Sequence, residues 1–169
     1  MDALILNGEL APDFSLPDLS AQVHVLSAAR GKIVILNFWS AECPWAERAD
    51  LGLVAALKRW GERVTLLTIA SNSNETPEQM AQAAQERGLP VVLHDEDQKV
   101  ADAYGAQTTP YLFVVDGEGK LRYQGAYDDV TFHQRTPTQN YLTEAVEALL
   151  KGQIPHLDMT PPYGCVLVR

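Results

Sequence analysis

The sequence predicts an α/β layer structure: a central mixed β-sheet flanked by helices, with a short strand extension at the N-terminus and an irregular C-terminal tail. Three observations carry this. Two seven-residue runs, Ile33–Trp39 and Val64–Ala70, are nearly apolar throughout, as strands buried on both faces must be. Each is followed by a segment with helix start and stop signals. Further on, two short apolar runs meet across Asp116-Gly117-Glu118-Gly119, a glycine-bearing turn of the hairpin kind.

Taken in order, residues 1–30 read as a short-strand preamble, with strands expected within 13–18 and 22–26. Ile33–Trp39 is the central strand. Pro44 suits a first helical position, where its missing N–H costs nothing. The helix it opens runs to Trp60, with Ala46, Ala49, Leu53, Ala56, Leu57 and Trp60 on one broad apolar face. Val64–Ala70 is the second buried strand. Thr76-Pro77-Glu78-Gln79 is a capping-box pattern that starts a helix ending near Arg87, with Gly88 as its stop. Residues 90–93 form a third short strand, and residues 98–104 a short helix before Gly105. The acidic run Asp95-Glu96-Asp97 falls where negative charge suits the start of that helix. Tyr111–Val115 and residues 121–123 are the hairpin strands. Thr136-Pro137-Thr138-Gln139 repeats the capping-box pattern and opens a helix to about Lys151, stopped by Gly152. The tail, residues 153–169, carries Pro155, Pro161 and Pro162 and is extended or irregular as far as residues 165–168.

At 169 residues the chain suits one domain with a real core, and 46% hydrophobic with 21% charged residues is an ordinary globular balance. A formal net charge of −9 argues against nucleic acid or an anionic membrane as partner, since both call for a basic surface. No run approaches the roughly 18 apolar residues of a membrane span. The N-terminus lacks the positive n-region of a signal peptide, so a cytoplasmic location is expected. In a reducing compartment two cysteines form a transient or catalytic bond more readily than a permanent one.

Cys43 is the first candidate for chemistry. It stands between the buried strand and Pro44, where a side chain meets unpaired helix N–H groups and the positive end of the helix dipole. Both favour the reactive thiolate. Its chemistry would be attack on a disulfide sulfur or on a peroxide oxygen, giving a mixed disulfide or a sulfenic acid. The position that would carry the second cysteine of a dithiol motif is Ala46. Glu42 and Glu47 flank the thiol. A carboxylate beside it would raise its pKa or accept its proton, but both read as solvated surface groups, and Arg48 offers compensating charge.

The strand end Phe38-Trp39, the helix start Cys43-Pro44 and the segment Thr108-Thr109-Pro110-Tyr111-Leu112-Phe113-Val114-Val115-Asp116-Gly117 together resemble the thioredoxin superfamily, and within it the peroxiredoxin-like (alkyl hydroperoxide reductase/thiol-specific antioxidant) redoxins. Residues 103–110 and the ending Pro161-Pro162-Tyr163-Gly164-Cys165 resemble one subgroup of them. The resemblance spans roughly residues 10–169. It implies a thioredoxin fold over residues 1–152 followed by a tail carrying Cys165, and a thiol-based antioxidant or oxidoreductase activity. It also implies a cis Thr109–Pro110 bond lying against Cys43, with Thr109 offering backbone groups to an extended substrate chain. Trp39 and Trp45 would line a shallow apolar groove, Trp39 reading equally as core. Peroxiredoxins pair a peroxide-binding hydroxyl three residues before the cysteine with a proline further upstream. Ser40 matches the first feature; Leu36 stands in place of the second. Ser40 reads equally as a turn or capping residue.

Cys165 is the other sulfur. The 15 steps from Leu150 to Cys165 span about 50 Å when extended, ample to reach Cys43. It serves as a resolving cysteine, as an apolar residue of a terminal strand, or as a partner for a second chain in a homodimer. His24, His94, His133 and His156 show no metal-ligand spacing, so no metal is expected. No glycine loop cradles a phosphate, and no nucleotide cofactor is expected. Three readings remain open: a dithiol enzyme acting on a protein disulfide or peroxide with Cys165 as distant partner, a monothiol enzyme using a small thiol, and a non-catalytic redoxin-fold binding or assembly module, favoured by Ala46.

Overall fold

The computed structural model describes residues 5–169; the first four residues of the N-terminal segment read above lie outside the described residues. The central sheet has five strands in the order β5–β4–β3–β7–β8, formed by β3 (Ile33–Trp39), β4 (Val64–Ala70), β5 (Val92–His94), β7 (Tyr111–Val115) and β8 (Leu121–Gly125). The first three run parallel, and β7 and β8 are antiparallel, as a hairpin must be. The preamble is a separate antiparallel pair, β1 (Ser15–Pro17) and β2 (Val23–Val25). A third small sheet joins β6 (Thr108–Thr109) to β9 (Cys165–Val166). This is the thioredoxin fold that the sequence implies.

Side chains alternate across the sheet, and the two faces build two cores. Val34, Leu36, Phe38, Leu67 and Ile69 pack with α3 (Lys99–Tyr104) and with Leu167 of the tail. Ile35, Leu66, Leu112 and Val114 pack with α1 (Pro44–Trp60) and α4 (Tyr141–Leu150). A third cluster, Trp39, Cys43, Ala46, Met80 and Ala83, joins α1 to α2 (Pro77–Arg87) at the carboxyl ends of the parallel strands. The capping box of α2 is formed, with Thr76 and Gln79 exchanging side-chain and backbone bonds. Asp95 caps α3 as expected: its two oxygens accept the N–H groups of Val100 and Ala101 at 3.1 and 2.9 Å.

Four boundaries differ from the sequence expectation. The third strand is Val92–His94, because the chain turns from Gly88 through Pro90 before it joins β4. Strand β8 runs two residues further than predicted, to Gly125. The second capping-box pattern opens no helix. Asp129 takes both the N–H and the hydroxyl of Thr138, and α4 begins five residues after Thr136, with Asn140 accepting the N–H of Thr143 at 2.9 Å. The terminal strand is only Cys165–Val166, since the chain beyond it turns to bond loop atoms around Asn72 and Gln98. Among the described residues no helix is long and apolar enough to cross a membrane.

Candidate active site

Cys43 occupies the N-cap of the 17-residue helix α1 in an extended conformation, and its carbonyl accepts the N–H of Glu47 at 3.0 Å. Pro44 is the first helical residue, so the free N–H groups of the first turn belong to Trp45 and Ala46. Ala46, in the dithiol position, is wholly buried beneath. The second sulfur arrives from the tail: Cys43 and Cys165 form a disulfide with Cα atoms 6.1 Å apart, 122 residues apart in sequence. Cys43 is only 2% exposed, while Cys165 is half-buried beside it.

The Thr109–Pro110 bond is cis, and the Thr109 carbonyl lies 3.3 Å from Cys43 Sγ. In the reduced protein that carbonyl can accept a hydrogen bond from the thiol. The tail pairs with this same strand, Cys165 opposite Thr109 and Val166 opposite Thr108, and the Leu167 N–H donates to the Gln107 carbonyl at 2.9 Å. Gly164 is required here, because a Cβ would lie on the Thr109 carbonyl and against Pro110. Tyr163 then sets its ring edge-on to Trp45, centroids 4.9 Å apart, and its hydroxyl accepts the Phe132 N–H at 2.8 Å. Trp45 is thus half-covered by the tail, whereas Trp39 is fully buried core.

Ser40 is buried, and its hydroxyl donates to Glu75. Glu75, itself 7% exposed, also accepts the Ala41 N–H at 2.7 Å and the Asn72 amide at 3.0 Å, and the Asn72 side-chain oxygen accepts the Val168 N–H at 3.0 Å. One polar chain therefore joins the loop before Cys43 to the end of the tail beyond Cys165. Nothing in the sequence singles out Glu75 or Asn72, since a carboxylate in a Ser/Asn-rich loop reads as solvated.

A second unforeseen group is Asp50, wholly buried under the site. It accepts from Trp39 Nε1 at 2.7 Å and from Arg87 at 3.0 Å, and Arg87 also donates to the Ala41 carbonyl and lies over the Trp39 ring. Burial raises the Asp50 carboxyl to about 6, against the opposing pull of Trp39, Arg87 and Asn37. Glu42 and Glu47 are exposed, as expected, and Glu42 is turned to Gln79. Arg48 is held by both oxygens of Asp128, at 3.0 and 2.6 Å.

The two protein sulfurs, the helix N-terminus and the cis-proline strand are brought together from three separate segments, an arrangement able to carry out thiol–disulfide chemistry. A sequence profile of the AhpC/TSA family matches residues 7–124, well over half of the chain. The chain belongs to the AhpC/TSA family. It is 35% identical over 117 residues to the thiol-disulfide oxidoreductase ResA of Geobacillus thermodenitrificans, covering 68% of this chain and 66% of that protein. The chain spans about two thirds of the length of the curated relatives it matches. Two solved structures follow it almost end to end. An uncharacterized conserved protein from Geobacillus kaustophilus is 28% identical with a TM-score of 0.88, covering 98% of this chain and 93% of that one. A hypothetical protein from Sinorhizobium meliloti is 30% identical with a TM-score of 0.87, covering 98% and 95%. The family match ends before the tail, so Cys43 and Pro110 fall within it and Cys165 beyond it.

Proposed function

We propose that this protein is a thiol–disulfide oxidoreductase in which Cys43 is the nucleophile and Cys165, brought by the C-terminal tail, is the resolving cysteine. The carrying observation is the Cys43–Cys165 pair itself, seated at the start of α1 against Thr109. Membership of the AhpC/TSA family and the likeness to oxidoreductases named ResA support the same reading.

In the reduced protein the helix N-terminus favours the Cys43 thiolate. That thiolate attacks one sulfur of a substrate disulfide, forms a mixed disulfide and expels the first substrate thiolate. Cys165 then attacks Cys43 Sγ, closes the intramolecular bond and releases the second. The tail thereby supplies the sulfur that Ala46 does not, which answers the feature that favoured a non-catalytic module. Peroxide as the oxidant draws support from the family alone. The hydroxyl that would bind it, Ser40, is committed to Glu75, and Leu36 sits in the core.

Intact mass after exposure to oxidised glutathione tests the pair. Wild type should lose two hydrogens, and neither Cys43→Ser nor Cys165→Ser should do so. The Cys165→Ser protein should instead take up one small-thiol adduct, on Cys43. A wild-type protein that gains oxygen or an adduct without closing the bond would contradict the dithiol cycle.

A further inference from the structure

The backbone edge beside a cis-proline strand is the natural place for an extended substrate chain to pair, because main-chain bonds there set it beside the nucleophile. In this protein the edge is already taken, by the protein's own β9. Reduction would clear it only if the tail were held by sulfur alone, and it is not. Leu167 is 4% exposed and belongs to the core cluster of Phe38 and Phe113. Val168 is bonded on both sides: its N–H donates to Asn72, and its carbonyl accepts from Ser73 N and Gln98 Nε2 at 3.1 and 2.8 Å. Arg169 closes the end, pairing with Asp102 and donating to the Ala106 carbonyl at 3.0 Å. None of these bonds involves a sulfur, so breaking the disulfide removes none of them directly.

We infer that β9 is a fixed wall of the site in both redox states, and that it makes the protein selective for low-molecular-weight disulfides over extended polypeptide disulfides. This rests on the reading of Cys43 as nucleophile. A small disulfide R–S–S–R needs no backbone edge. Cys43 S⁻ displaces RS⁻ to give Cys43–S–S–R, and Cys165 S⁻ displaces the second RS⁻. Two cysteine thiols are oxidised to one disulfide, two RSH form, and the two cysteine protons pass through solvent to the leaving thiolates. A polypeptide seeking the Thr108–Thr109 edge must first pull Leu167 from the core.

The test uses the reduced full chain, with oxidised glutathione and insulin as the two disulfide probes and amide exchange as a readout independent of activity. Oxidised glutathione should oxidise the wild type at least about tenfold faster than insulin does, a preference of the size that about 1.4 kcal/mol of tail anchoring provides. Exchange at Leu167 and Val168 should be slowed in the reduced protein as in the oxidised one. Leu167→Ala, and separately Asn72→Ala should the first variant fold poorly, should raise the insulin rate towards the glutathione rate. Equal wild-type rates on the two probes, or loss of protection at Leu167 and Val168 on reduction, would overturn the fixed wall and its selectivity while leaving the oxidoreductase reading intact. Failure of both probes to oxidise Cys43 would overturn the oxidoreductase reading, and the selectivity with it.

Discussion

Gly164 is where the tail comes nearest to the cis-proline strand, and Asp50 is where charge is buried deepest beneath the site. For Gly164→Ala, the added Cβ must push β9 off the Thr109 carbonyl and move Cys165 away from Cys43. Closure of the disulfide after mild oxidation should slow by about tenfold, the factor a 1.4 kcal/mol penalty imposes. Timed loss of free thiol checks this, and an unchanged rate would show that the tail approaches by another path. Asp50 has its folded pKa raised, from an ordinary 3.8 to about 6. A raised carboxyl contributes stability that is complete below pH 4 and lost as pH rises through 6, because the folded state holds the proton more tightly than the unfolded chain. A rise of that size corresponds to on the order of 3 kcal/mol. Between pH 4 and 7 the wild type should therefore lose stability relative to Asp50→Asn. Denaturant midpoints for the two proteins across that range measure it, and parallel curves would contradict it.

At the scale of elements, the two capping-box patterns separate what sequence shows from what it does not. Thr76 and Gln79 are neighbours that need only each other, and the box forms. Thr136 and Gln139 carry the same letters, but Asp129, reached through the preceding loop, claims Thr138 and hands the cap to Asn140. Local patterns are legible until a distant group competes for the same atoms. Asn140→Ala should cost about 1 kcal/mol and Thr136→Ala less than about 0.5 kcal/mol. Equilibrium unfolding distinguishes them, and the reverse order would restore the earlier helix start. The nucleophile side of the site was legible for the same reason the first box was: the run from Asn37 through Trp45 contains its own strand end, its proline and its cysteine. Glu75, Asn72 and Asp50 were not legible, because each takes its place through a partner far away in the chain: Glu75 meets Ser40 and Ala41 from 35 and 34 residues away, Asn72 meets Val168 from 96, and Asp50 meets Arg87 from 37.

Across the whole molecule, the sheet order brings β3 beside β7 and so places Cys43 against Thr109, 66 residues apart. The tail completes the site from outside the order of the sheet. It first pairs beside β8 through Met159, crosses Gly125 where a Cβ would strike Thr160, and then reaches β6. Chain length permitted Cys165 to arrive; the prolines and glycines that steer it have no local signature of destination. Closing 122 residues with one bond constrains the unfolded chain by about 5 kcal/mol in the chain-entropy model, so the oxidised protein should unfold at distinctly higher denaturant than the reduced one. Paired unfolding curves with and without reductant read this directly. A reduced protein as stable as the oxidised one would mean that the bond does not form in solution.

The Cys43–Cys165 cycle is tested most directly by a single-turnover trap. Reduced Cys165→Ser and reduced wild type are each mixed with oxidised glutathione, quenched in acid and mapped by peptide mass. The variant should hold one glutathione on Cys43 and keep it, while the wild type should pass through that adduct and end as the intramolecular disulfide. A Cys43 that stays unmodified in the variant, or an adduct that persists in the wild type, would contradict the cycle.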